Sequence, residues 1–232
     1  MTADARRAKE NAARYAAALV ESGMVVGLGS GSTAELAVRA LGERVRAGLD
    51  IVTVPTSRRT ERLARLVGLV VREPEAVDRI DLTIDGADEV HEPSLALLKG
   101  RGGALVREKL VASVARRVVI MVDESKLVPR LGARFPVPVE VLPFGWTWCA
   151  RWLEELGGHP VLRCRGNGRP FRSDNGNFIL DVRFDSIDEP HALARALKAL
   201  PGVVDHGIFL DLADLVVVGT TSDVKLLRPV PR

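Results

Sequence analysis

The sequence predicts an α/β protein: a doubly wound, mostly parallel (Rossmann-like) sheet domain with an inserted, smaller ferredoxin-like α+β domain. Three observations predict it. Over the first 127 residues short apolar runs alternate with stretches of helical periodicity. Glycine-rich or acidic turns stand directly after several of those runs, where open parallel sheets place their ligands. Beyond Pro129 the rhythm changes to β-α-β-β-α-β, the split-βαβ order of ferredoxin-like modules.

Residues 3–21 carry Ala, Leu and Val at helical spacing, and Gly23 follows as a stop signal. Met24-Val25-Val26-Gly27-Leu28 is a strand run that enters the turn Gly29-Ser30-Gly31-Ser32-Thr33, after which Ala34 resumes a helical pattern. Residues 51–54 form a strand before Pro55, 57–67 a helix and 69–71 a strand. Residues 79–84 run to an acidic turn, Asp85-Gly86-Ala87-Asp88; the glycine cluster at 100–103 opens a helix through Ala115, and 118–122 is a further strand. In the second part, 137–142 is a strand, 147–156 a helix, 161–164 and 178–184 a strand pair, 191–200 a helix and 203–210 a strand. The apolar run 215–219 returns to the first sheet. The expected domains are therefore 1–129 with 211–232, and an insertion at 130–210.

The 232 residues are 47% hydrophobic and 27% charged with only 4% aromatics, and include 21 glycines and 13 prolines, a composition that suits a loop-punctuated α/β chain and excludes a disordered one or a coiled coil. Basic residues exceed acidic ones by only 33 to 30 and are spread along the chain, without a basic run interleaved with aromatics, so nucleic-acid binding is not expected. Cys149 and Cys164 have no CxxC or zinc spacing and read as two reduced thiols, which suits a cytoplasmic protein. The charged, Ala-rich N-terminus and the lack of an apolar run of about 18 residues argue against secretion or membrane insertion.

Three segments carry chemistry. The turn from Gly29 to Thr33 brings backbone N–H groups and hydroxyls to a helix N-terminus, where a phosphate can bind; equally, its glycines only permit a tight turn and Ser32 or Thr33 caps the helix. The acid that a dinucleotide site needs after the second strand is missing, since Pro55-Thr56-Ser57 stands there, and no Lys follows Gly31 as in a Walker loop. Asp85-Gly86-Ala87-Asp88-Glu89 places carboxylates at a strand end, or is a solvated turn. In Lys99-Gly100-Arg101-Gly102-Gly103-Ala104-Leu105-Val106-Arg107-Glu108-Lys109 the glycines allow close backbone approach to a ligand. Glu108 falls one turn into the following helix on the side of Ala104 and Ala112, as a cleft carboxylate or as plain surface charge. A divalent site is disfavoured by Lys99, whose ammonium competes for the same acids, so no metal is expected. Lys9 and Lys126 are further candidate phosphate contacts. The four histidines and three tryptophans share no catalytic spacing.

Taken together, these segments and Asp123-Glu124-Ser125-Lys126 resemble, in order, the A-type ribose-5-phosphate isomerases. The resemblance extends through Phe135-Pro136-Val137-Pro138-Val139-Glu140-Val141, Leu156-Gly157-Gly158, Ser173-Asp174-Asn175-Gly176-Asn177 and Leu200-Pro201-Gly202-Val203-Val204. It implies a cofactor-free enzyme of the non-oxidative pentose phosphate pathway that interconverts D-ribose 5-phosphate and D-ribulose 5-phosphate through a cis-enediolate, assembled as a homodimer or homotetramer. Glu108 matches the proton acceptor, and Asp85, Asp88 and Lys99 match other active-site positions. Ser30, Gly31, Ser32 and Thr33 match the phosphate-side loop, and Lys9 and Lys126 match substrate-facing lysines; Gly86, Ala87, Gly100, Arg101 and Gly102 complete the expected substrate-binding set. Ser30 departs from the Thr of many members and Arg101 from the Gly of some. The chemistry asks for the same residue types: one base of raised pKa for both carbons, Lys99 and backbone donors for the enediolate, Asp85 for ring opening and Asp88 for hydroxyls. A non-catalytic sugar-phosphate sensor is the alternative, and a CoA-transferase-like scaffold a more distant one.

Overall fold

A computed structural model describes residues 2–229; Met1 and residues 230–232, the extreme ends of the first expected domain, lie outside the described residues. In chain order the elements begin with α1 (Ala3–Ala18), β1 (Val25–Leu28), α2 (Ser32–Arg46), β2 (Val52–Pro55), α3 (Arg58–Leu66), β3 (Val70–Val71) and β4 (Leu82–Gly86). There follow β5 (Glu89–His91), β6 (Ala96–Leu98), α4 (Leu105–Val114), β7 (Val118–Asp123), β8 (Leu127–Val128), β9 (Val137–Val141), α5 (Trp146–Glu155) and β10 (Gly158–Leu162). The chain ends with β11 (Phe178–Phe184), α6 (Pro190–Ala199), β12 (Val203–His206), β13 (Ile208–Phe209), β14 (Leu215–Gly219) and β15 (Val224–Leu227).

The central sheet has the order β15-β14-β7-β4-β1-β2-β3 and is parallel throughout except for the edge pair β14 and β15. Its middle strands read as unbroken apolar runs because both faces are covered: every residue of β7 and β14 is buried. A second sheet, β10-β11-β9-β12, pairs antiparallel at every step, which is the ferredoxin-like order expected for this stretch. No helix among the described residues is long and apolar enough to cross a membrane.

Element bounds shift by a few residues, as at β10, expected at 161–164, and β15 is an additional edge strand; three further departures bear on the site. The first helix ends at Ala18 rather than at 21, because the Arg44 guanidinium of α2 donates to the carbonyls of Ala17 and Val20 and takes over the helix end. The single strand expected at 203–210 is two. At Gly207 the chain passes so close to Lys99 that a Cβ would lie 2.1 Å from the Lys99 carbonyl oxygen. Gly207 donates to Pro138 O and accepts from Lys99 N–H, and beyond it β13 leaves the second sheet to pair with β6. The outcome is an unexpected third sheet, β13-β6-β5-β8, which draws strands from both sides of residue 130.

The alanine face of α1 has a positional consequence. Ala8, Ala12, Ala13, Ala16 and Ala17 are buried against α2, β7 and β14, and the helix sits so near the sheet that a Cβ on Gly219 would be 1.9 Å from Ala8 O. That close seating carries Lys9 to the N-terminus of α2. Gly219→Ala is expected to lower stability by about 1–3 kcal/mol, because a backbone carbonyl must move to admit the methyl, and urea denaturation measures it.

Candidate active site

The strand order reverses at β1, which has β2 on one side and β4 on the other. A crevice opens at such a switch point beyond the strand ends, and here the turn after β1 and the end of β4 form its two walls. Gly29 N–H donates to Ile84 O at 2.9 Å, and a Cβ at residue 29 would fall 1.9 Å from Asp85 Oδ1, so only glycine lets these walls meet. Gly31, at φ 102°, is the residue that enters α2, and no side chain caps the helix. The expectation that Ser32 or Thr33 serves as the cap is therefore corrected: both are the first helical residues, and the N-terminal N–H groups of α2 have no side-chain cap.

Ser30 turns inward. Its N–H donates to Asp85 Oδ1 at 3.1 Å, its hydroxyl donates to Ser57 Oγ at 2.8 Å, and the Thr56 and Thr60 hydroxyls lie 3.0 and 3.2 Å from it. Thr60 and Thr56 in turn donate to the carbonyls of Gly29 and Leu28, each at 3.0 Å. This hydroxyl cluster pins the turn from below. The turn lines the cleft with Ser30, Gly31, Ser32, Thr33 and the helix N-terminus, with the Lys9 ammonium 3.1 Å from Ser32 Oγ and 3.9 Å from Asp123.

Three buried charges form the floor: Asp85 is 2% exposed, Lys99 3% and Glu108 4%. The Lys99 ammonium lies 2.9 Å from Asp85 Oδ2, 3.4 Å from Glu108 Oε1 and 2.5 Å from Gly86 O. Burial disfavours this ammonium, but the Asp85 and Glu108 charges outweigh it and hold the Lys99 pKa above its ordinary value. One cation cannot neutralise two acids, and burial pushes the Asp85 carboxyl up as well, against the pull of Lys99 and of two backbone donors; those donors, which Glu108 lacks, favour Asp85 as the ionised partner. Asp85 also accepts from the N–H groups of Ser30 and Gly86, the latter at 2.7 Å. Glu108 Oε2 is buried and meets no donor among the described residues. Burial first, and then the Asp85 charge, push the Glu108 carboxyl up to about 8. The helix α4 holds it there: Val111, one turn on, packs where a Cβ of Gly27 in β1 would come within 2.6 Å.

The roof is the loop 100–103. Asp88 accepts from Arg101 N–H at 2.9 Å, and the Arg101 guanidinium lies over the Phe135 ring at 4.6 Å with the Lys126 ammonium over the same ring at 5.3 Å. Phe135 is fixed by Glu89, a fully buried carboxylate that accepts from the N–H groups of Gly132, Arg134 and Phe135. Burial lowers the Lys126 pKa despite Asp88 and Asp123 nearby.

The resulting cleft, about 310 Å³, is lined by Lys9, residues 30–33, Gly86, Ala87, Asp88, residues 99–102, Glu108 and Lys126. Of the residues singled out in the sequence, Asp85 alone does not line it; it lies beneath Lys99. Sequence reasoning missed what the hydroxyls of Thr56, Ser57 and Thr60 do, and, although it named Phe135 and Glu89, it missed the ring as a platform and the carboxylate as the group that fixes it. The hydroxyl trio left a trace as three polar residues just after a strand, and Glu89 as the last acid of the segment 85–89. Among the described residues no group of three His, Cys, Asp or Glu side chains could hold a metal ion, and the cation at the floor is Lys99.

Comparisons with known proteins agree with this geometry. The family model for ribose 5-phosphate isomerase A (phosphoriboisomerase A) matches residues 52–223. The chain is 70% identical over 222 residues to a ribose-5-phosphate isomerase A of Thermomicrobium roseum, covering 96% of this chain and 94% of that protein. It is 51% identical to the corresponding protein of Gloeobacter violaceus, with 95% and 96% covered. Among solved structures, a ribose 5-phosphate isomerase A of Methanocaldococcus jannaschii superposes with a TM-score of 0.91 at 43% identity, covering 95% of this chain and 97% of that one. A D-ribose-5-phosphate isomerase in complex with phospho-erythronic acid gives 0.94 at 42% identity, with 97% and 99% covered. The chain belongs to the ribose 5-phosphate isomerase A family.

Proposed function

We propose that this protein interconverts D-ribose 5-phosphate and D-ribulose 5-phosphate by moving one proton between C2 and C1, with Glu108 as the base. The observation that carries this is the Glu108 carboxyl itself: buried, lining the cleft, with one oxygen on Lys99 and the other unpartnered among the described residues, and with a pKa raised to about 8. A base of that pKa is matched to neutral or mildly alkaline conditions. Its carboxylate removes the C2 proton of the open-chain aldose, leaving a cis-enediolate, and the protonated group returns that proton to C1. O2 gives up its hydroxyl proton as C2 becomes the carbonyl, and O1 takes one to become a hydroxyl.

Lys99 and the backbone N–H groups of the loop 100–102 stabilise the negative charge of the enediolate. The phosphate rests on the N-terminus of α2 with Ser32, Thr33, Lys9 and Lys126. Asp88 lines the cleft and takes hydroxyl binding together with proton transfer in ring opening. Asp85 was the candidate for ring opening in the sequence, but it is enclosed with both oxygens occupied, and its role here is to hold Lys99. A non-catalytic sugar-phosphate sensor has no use for a buried carboxyl with an unpartnered oxygen at the cleft wall. A homodimer or homotetramer in the cytoplasm belongs to the same proposal, on the family resemblance.

Glu108→Gln keeps the size of the side chain and removes the base. Isomerisation measured spectrophotometrically, and exchange of the C2 proton measured by NMR in deuterated water, are both expected to fall about a hundredfold or more; survival within tenfold refutes the role. In the wild type the free enzyme needs ionised Glu108, so kcat/KM is expected to rise about tenfold per pH unit below 8 and to level off above it. The stability effect runs the other way. A carboxyl whose pKa is raised in the folded state binds its proton more tightly there, so its contribution is complete below the unfolded value and is lost as pH rises through about 8. Thermal melts are therefore expected to show Glu108→Gln gaining on the wild type as the pH passes from 6 to 9.

A further inference from the structure

The loop 100–102 has a holder outside the central sheet. Arg163 stands just past β10, and its side chain reaches across to Asp181 of β11, with Nε donating to Oδ2 at 2.8 Å and Nη2 donating to Oδ1. The remaining arm, Nη1, donates to two successive carbonyls of the loop, Gly100 O at 3.0 Å and Arg101 O at 3.1 Å. Both partners are mostly enclosed, and the Phe171 ring lies 5.8 Å from the guanidinium while filling the space beside Gly103. A planar guanidinium with a fixed fork of donors can hold a carboxylate with one edge and two carbonyls with another; an ammonium cannot.

Peptide planarity converts this grip into an aim. In a trans peptide the C=O and the following N–H point in opposite directions. Gly100 O faces Arg163, and the next N–H, that of Arg101, accordingly faces the other way and meets Asp88 Oδ2 at 2.9 Å. Arg101 O also faces Arg163, so the N–H of Gly102 is turned away from Arg163 as well. Gly102 lines the cleft, and a Cβ placed on it would meet nothing within 4 Å. The loop closes a turn of its own, with Gly103 N–H donating to Gly100 O at 3.0 Å, but that bond leaves the peptide between Arg101 and Gly102 free to rotate, and the Arg101 carbonyl is held by Arg163.

We propose that Arg163, oriented by Asp181, is a positioning residue of the isomerase: it locks the peptide planes of the loop 100–102 so that the Gly102 N–H is aimed at the oxygen on which enediolate charge develops. The inference rests on the isomerase reading above. It assigns a catalytic consequence to the second sheet, which otherwise contributes no lining residue to the cleft. Loss of an oxyanion donor costs about a hundredfold to a thousandfold in rate, and losing its aim while keeping the donor costs less.

The test is Arg163→Met, which keeps the stem and removes the fork, with Asp181→Asn as a second variant that keeps the side-chain shape and releases the tether. For Arg163→Met, kcat is expected to fall by about tenfold to a hundredfold with KM for ribose 5-phosphate within about threefold, since the phosphate is anchored on α2. Phospho-erythronic acid, whose carboxylate presents charged oxygens near the position of C1, is expected to inhibit about tenfold more weakly, while inhibition by inorganic phosphate is unchanged. Asp181→Asn shifts the same quantities in the same direction by less, and carries the test alone if Arg163→Met does not fold. An unchanged kcat overturns the inference. So does a fall in kcat with phospho-erythronic acid binding as before, and so does an equal weakening of both inhibitors, which marks general loosening of the site. A wild-type protein without isomerase activity overturns the parent reading instead.

Discussion

One buried ammonium held between two buried carboxyls is the interaction on which the site depends. Isolated, any of the three charges would be expelled from so enclosed a position or would neutralise itself, because the cost of removing an ion from water is several kcal/mol even in a relaxed protein interior. Lys99 makes Asp85 tolerable, and Asp85 with its two backbone donors makes Lys99 tolerable. Glu108 is the remainder of that balance. It is buried, stands beside the Asp85 charge, shares the same cation at longer range and has one oxygen without a donor among the described residues, and so keeps its proton up to about 8. A carboxyl poised in this way is what the proposed proton transfer requires, and it arises from burial first and then from the Asp85 charge, with Asp88 adding to it and Lys99 opposing.

The three charges come from three different elements, and their convergence is a matter of backbone geometry. Asp85 rides near the end of β4, beside a turn whose Gly29 leaves it room; Lys99 follows β6; Glu108 sits in the first turn of α4. Each element is fixed by contacts that do not involve the charges. Gly207 binds the backbone of Lys99, Val111 seats α4 over Gly27, and the Lys109 ammonium donates to His206 O at 2.6 Å, tying α4 to β12. Much of this bracing comes from the second sheet and from its junction with β6. Glu140, also in that sheet, is wholly buried and gathers Ser173, Asn175 and Asn177, and Asn175 accepts from Arg107, the neighbour of Glu108.

The parts of this arrangement that were legible in the sequence are those written locally. An apolar run, then glycines and hydroxyls, then helical spacing announces a strand, a turn and a helix in any chain, and the switch-point rule places the residues that follow β1 and β4 together. Glu108 was legible as a residue one turn into a helix but not as a buried one, since Arg107 and Lys109 on either side suggest a solvated surface. The inward turn of Asp85 follows from strand alternation and from the missing side chain of Gly29, and the second of these is a tertiary fact. The third sheet was illegible because strands of two or three residues have no periodicity to detect. Arg163 was illegible for a different reason: with 33 basic residues in the chain, nothing in the sequence distinguishes the one whose fork closes on two carbonyls from those that are merely solvated.

Charge is not spread evenly over the cleft, and the separation orients an anionic substrate. The cations that line the cleft away from its floor, Arg101, Lys126 and Lys9, stand around the rim and the N-terminus of α2, two of them kept in place by the Phe135 ring. The floor holds an ammonium too, but Asp85 neutralises it at 2.9 Å and Glu108 stands next to it. A dianionic phosphate therefore gains at the rim and finds no net positive charge at the floor, whereas the uncharged carbon end of a sugar loses nothing there. Coulomb interactions at separations of a few ångströms in a partly dry site are large enough to decide between two orientations of one ligand. In this arrangement the group that binds most strongly and the carbons that react are sorted to opposite ends before any specific contact to the sugar forms, and the proposed base is left facing the end that carries no charge until the enediolate develops.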